Sequence, residues 1–68
     1  MSSTIKQVGA RIRALRTVKG WSQAKLAERA HLTRVYVIRL EAGRQDPSLS
    51  TINALAKALG VKPARLLE

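Results

Sequence analysis

The stretch SQAKLAERAHLTRVYVIRLEAG, residues 22–43, decides how this chain is read. Ser22 can cap a helix running from about Gln23 to Ala30, and Trp21 before the cap with Leu26 inside it forms a hydrophobic staple. Thr33 repeats the device, with Leu32 and Val37 as the staple, and opens a helix that runs to about Ala42 with Gly43 just past its end. Only His31 and Leu32 lie between the two helices. So short a joint forces a steep crossing, and the contact needs a small residue, for which Ala27 is placed. The later helix has two faces. Val37, Leu40 and Glu41 share one; Val35, Ile38, Arg39 and Ala42 share the other, with Arg34 at its edge. A surface helix ordinarily shows solvent a polar back, whereas this one alternates two arginines with two β-branched aliphatics.

Outward from this segment the chain is helical on both sides. Thr4 to Gln7 has the form of a capping box, and Ile5, Val8, Ile12 and Leu15 recur at helical spacing, so a first helix starts near Thr4 and ends at Gly20. After the turn RQDPS (residues 44–48), Ser48 opens a fourth helix with Leu49, Ile52, Leu55, Ala56 and Leu59 inward. Gly60 ends it, and Val61 supplies the apolar contact that accompanies a glycine cap. Pro63 suits the first position of a short last helix ending in Leu66 and Leu67. The pattern predicts four helices and a helical stub, an all-α chain without strands. We find no repeat and no linker, and expect residues 1–68 to form a single domain.

Composition narrows the function. With 68 residues the chain buries only about 60% of its unfolded surface. It has no cysteine and one histidine, so neither a disulfide framework nor a thiolate metal site is available. No run approaches the roughly 18 apolar residues of a spanning helix, and no leader pattern opens the chain. A cytoplasmic protein is expected. The formal net charge is +9, and it is lopsided: residues 1–44 carry ten basic and two acidic side chains, residues 45–68 three and two. That concentration points to a polyanion. An anionic membrane is the weaker choice, because the helices need their apolar faces for one another.

Residues 11–61, RIRALRTVKGWSQAKLAERA (11–30) with LTRVYVIRLEAGRQDPSLSTINALAKALGV (32–61), resemble the lambda-repressor-like helix-turn-helix family, the Cro/repressor type, over about three-quarters of the chain. The specific points are Gln23 opening the second helix, small Ala27, Glu41 and Gly43 ending the third, and PSL followed by AKALGV. TRVY and RLEAGRQDPSL are also similar to the small controller proteins of restriction–modification systems. The resemblance implies a five-helix all-α domain, its helix-turn-helix at about residues 22–42, that binds operator DNA as a two-fold dimer. One position departs from the pattern. His31 stands where the family commonly has Gly, so either a left-handed conformation is kept with some strain or the turn is altered.

On this reading the third helix lies in the major groove, where each base pair shows its own donor, acceptor and methyl pattern. Arg34 and Arg39 are the candidates for bidentate contacts with guanine, and Val35 and Ile38 for thymine methyl groups. The plainer alternatives are phosphate contacts for the arginines and, for Ile38, a partner subunit. The start of the second helix, with Ser22 and Lys25, offers a phosphate seat, and the resemblance assigns Gln23 a DNA contact. Tyr36 either gives its hydroxyl to a phosphate or serves as half-buried packing. Arg44 suits the backbone on the far side, while Arg11 and Arg13 read as a solvated helix face. Arg16 beside the apolar stripe and Glu41 on the core face would each be costly to bury alone. The resemblance implies that they form an inter-helix salt bridge.

Catalysis has little support: His31 has no triad around it, the carboxylates are scattered, and there is no Gly-rich phosphate loop. No cofactor, metal or small-molecule ligand is expected. Val61, Leu66 and Leu67 are candidates for a homodimer contact on a palindromic operator, although Leu66 and Leu67 could instead close the monomer's own core. An antitoxin-type interaction module with autoregulatory DNA binding is the alternative, but we see no added segment to grip a toxin. Single-stranded RNA recognition is disfavoured by the lack of phenylalanine and by having just one Trp and one Tyr to stack on bases.

Overall fold

The structure, a computed structural model, describes residues 4–67. Five helices follow one another: α1 Ile5–Val18, α2 Gln23–Ala30, α3 Arg34–Glu41, α4 Leu49–Leu59 and α5 Ala64–Leu67. Among the described residues there is no strand, as expected.

The first four helices start with one device. Thr4, Ser22, Thr33 and Ser48 take an extended backbone, and each hydroxyl accepts an amide N–H three residues on. That satisfies one of the N–H groups a helix start leaves without a partner. At Thr4 the backbone N–H donates in return to Gln7 Oε1 at 2.9 Å, completing the capping box.

Those four helices also share one way of stopping. The N–H groups of Trp21, Leu32, Arg44 and Val61 reach back to the carbonyls of Arg16, Ala27, Arg39 and Ala56. The loop this makes needs a left-handed residue just past the helix. Gly20 (φ 72°), Gly43 (74°) and Gly60 (71°) supply it in three cases, and His31 (φ 59°, ψ 41°) in the fourth. The departure at His31 therefore leaves the turn unaltered, at a steric cost of about 1–2 kcal/mol for a residue with a Cβ.

One core draws on every helix. Ile12, Leu26, Val37, Leu40, Leu55 and Leu66 are wholly or almost wholly buried, each contributing about 1.5–3 kcal/mol of transfer free energy. Ala27 is 3% exposed, and the tight α2–α3 joint folds over its carbonyl, which accepts from Leu32 at 2.8 Å. Gly9 allows α1 and α3 to approach closely, since a Cβ there would collide with the Leu40 carbonyl oxygen.

Three expectations need correction. Leu49 was expected inward but is 69% exposed. It is the first residue of α4, and helical side chains lean toward the N-terminus, so it projects past the end of the core. Ile5, first in α1, is 39% exposed for the same reason. Arg11, read as part of a solvated face, is half-buried, with Nη1 enclosed.

Candidate nucleic-acid interface

Helix α3 is held by one side and open on the other. Val37 and Leu40 are fully buried, while Arg34, Val35, Ile38 and Arg39 are all exposed, Val35 to 64%. The four candidate readers thus lie together on one outward surface. Gly43 ends the helix, and the Arg44 N–H bonds the Arg39 carbonyl at 2.9 Å, so Arg44 extends the basic edge at a fixed place beside Arg39.

The start of α2 lies against the end of α3, joined by a partly buried polar cluster. Arg16 of α1 grips Glu41 with two prongs, Nε to Oε2 at 2.6 Å and Nη2 to Oε1 at 2.9 Å. Its third nitrogen, Nη1, donates to the Trp21 carbonyl at 2.7 Å. Gln23 Nε2 donates to Glu41 Oε1 at 3.1 Å. The side chains of Arg16 and Glu41 are 13% and 3% exposed. The hydrogen bond with Glu41, helped by its charge, raises the Arg16 pKa above the ordinary arginine value although burial pulls the other way. The salt bridge implied by the resemblance is present. Neither the Trp21 carbonyl nor the Gln23 amide was foreseen as a partner: Gln23 and Glu41 are 18 residues apart, and the Trp21 carbonyl is a backbone group that no residue pattern marks.

At the start of α2, the Ser22 hydroxyl accepts the Lys25 N–H at 3.0 Å. The other first-turn amides lack helical acceptors and sit at the positive end of the helix dipole. Lys25 Nζ lies 3.9 Å from Glu28 Oε1, a solvent-exposed pair too weak to hold it from another anion. Tyr36 is half-buried and packs against the core, so packing accounts for its ring. In α5, Leu66 is fully buried within its own chain and offers no side chain to a second copy. It drops out of the expected dimer contact, leaving Leu67 at 41% exposure beside half-buried Val61.

Two short helices meet at a tight joint, and the second is buried on one side and carries exposed arginine and aliphatic side chains on the other. Residues 12–66 match the helix-turn-helix family. The chain belongs to the lambda-repressor-like helix-turn-helix family. It is 43% identical over 60 residues to the immunity repressor protein of Bacillus phage phi105, a match covering 88% of this chain and 42% of that protein. The chain thus spans less than half of the phage repressor's length. The crystal structure of the restriction-modification controller protein C.AhdI from Aeromonas hydrophila matches with a TM-score of 0.89 at 44% identity, over 91% of this chain and 94% of that one. The P22 c2 repressor, crystallised with a synthetic operator, matches with a TM-score of 0.84 at 33% identity, over 90% and 92%.

Proposed function

We propose that this chain is a sequence-specific regulator of transcription that binds double-stranded DNA, inserting α3 into the major groove. The observation that carries the reading is the two-sidedness of α3: Val37 and Leu40 fix it to the core while Arg34, Val35, Ile38 and Arg39 project from its far side. Ser22, Gln23, Lys25 and Arg44 hold phosphates and set the register, with the Tyr36 hydroxyl beside them. Arg16 and Glu41 are committed to each other, and half-buried Gln23 gives one amide hydrogen to Glu41 while its other amide hydrogen stays available for a phosphate. With a genome as its partner, the protein works in the cytoplasm.

Size argues for two copies. Eight residues of α3 rise about 12 Å, which covers about four base pairs, too few for a unique site. The longest dimension of the molecule is 30 Å, and recognition helices one turn apart on DNA are separated by about 34 Å. Two copies related by a two-fold axis meet that spacing on a palindromic operator, with residues 1–68 acting as one domain in each and the end bearing Val61 and Leu67 as the contact.

The test is selection of bound duplexes from a random pool. An enriched site with two inverted half-sites centred about 10 base pairs apart is expected. A pool that stays random after repeated rounds would rule out specific reading, and an asymmetric single site would rule out the two-fold dimer.

A further inference from the structure

We propose that the groove between the C-terminal ends of α2 and α4 docks an acidic segment of a partner protein that also inserts an aliphatic side chain. The groove encloses about 470 Å³ and is lined by Arg29, Ala30, His31, Ala54, Lys57 and Ala58. Its floor is alanine, and its rim carries two cations and an imidazole but no carboxylate. The nearest acid in sequence, Glu28, is turned toward Lys25 on the other flank of α2. Arg29 is held in position, its guanidinium lying 5.5 Å from the centre of the Trp21 ring, where Lys19 Nζ also lies at 5.0 Å. A stacked cation has less rotamer freedom to lose when a carboxylate arrives.

The dipoles of α2 and α4 account for a cation in each last turn, since Arg29 and Lys57 both sit there. They do not require the strained backbone at His31, since the cation in the last turn already answers the dipole. The helix-ending loop is made by backbone bonds alone, and three of its four instances use glycine. The fourth keeps a side chain in a strained left-handed conformation, and that side chain lines the groove. Strain retained where a glycine would relieve it points to work done by the side chain. A duplex is the poorer occupant. It is convex and presents phosphates, whereas an alanine-floored recess takes in a side chain, with flanking carboxylates facing the rim. None of the candidate base readers lines this groove.

The probe is a fluorescein-labelled peptide of Glu, Asp and Leu, compared with one in which Ser replaces Leu, titrated into the full chain and followed by anisotropy and by Trp21 emission. The leucine peptide should bind, quench or shift Trp21, and leave α3 free to bind duplex. Lys57→Glu and His31→Gly should each weaken it by about tenfold, while Lys62→Glu, which removes the same charge as Lys57→Glu from outside the groove, should change it by less than about twofold. His31→Gly should bind duplex like the parent and melt no lower, separating a lost contact from a lost fold. Four results would overturn the proposal: no binding at millimolar peptide; equal binding of the serine peptide; equal weakening by Lys62→Glu; or displacement of the peptide by duplex, which would place it on α3.

Discussion

Arg16 and Glu41, from the first and third helices, close a two-pronged ion pair at 2.6 and 2.9 Å, and Gln23 of the second helix bonds the same carboxylate at 3.1 Å. Three helices thus meet on one Glu41 side chain that is 3% exposed. The consequence is architectural: the end of α3 and the start of α2 are tied to each other and to α1.

Glu41→Ala should therefore cost stability rather than specificity. It leaves the Arg16 guanidinium partly buried with only the Trp21 carbonyl, and breaking such a pair typically costs about 3–5 kcal/mol. Urea unfolding followed by circular dichroism measures this. A fully stable variant with altered operator preference would contradict it. Arg16 adds no pH dependence near neutrality. Its folded pKa is raised, so its contribution is complete below the unfolded arginine value and fades only as pH climbs through the still higher folded one.

Arg39→Ala and Arg44→Ala should separate reading from holding. Both residues are exposed, yet Arg39 lies on the outward surface of α3 and Arg44 just beyond it. Loss of Arg39 should remove about 1–3 kcal/mol of discrimination at one base position, whereas loss of Arg44 should weaken all sequences alike and lower the salt slope by about one. Anisotropy titrations over a series of point-changed operators and salt concentrations distinguish them. Equal losses on specific and random duplexes for Arg39→Ala would show that it does not read bases.

Gly9→Ala sets two effects against each other. Alanine in a helix interior gains about 0.5–1 kcal/mol over glycine. The added Cβ would meet the Leu40 carbonyl oxygen, a backbone atom that cannot swing aside, and overpacking costs about 1–3 kcal/mol. Net destabilisation is expected, read as a lower thermal midpoint; a higher midpoint would mean that α1 and α3 separate freely.

Leu66→Ala and Leu67→Glu are neighbours with opposite outcomes. Leu66 is fully buried and its truncation should cost about 2–5 kcal/mol. Leu67 is 41% exposed, so Leu67→Glu should stay folded and lose the dimer proposed above, read by size-exclusion chromatography with light scattering. A Leu67→Glu chain that still elutes as a dimer would move the interface elsewhere.

Residues within one or two turns of each other set the helices, and so these were legible in the sequence. Thr4, Ser22, Thr33 and Ser48 bond amides three residues away, and the left-handed residues close loops five residues long. The two-faced α3, the crowding of charge into residues 1–44 and the Arg34, Val35, Ile38 and Arg39 surface follow from such local order together with composition. Folding in three dimensions decided what depends on distant partners. It buried Leu66 and exposed Leu67, it left Leu49 outside the core, it set Gly9 against the Leu40 carbonyl, and it brought Gln23 onto Glu41. It also set His31 facing α4 across an alanine floor. Adjacent leucines carry the same hydrophobicity, and only the geometry of helices brought together from far along the chain determines which of them loses its water.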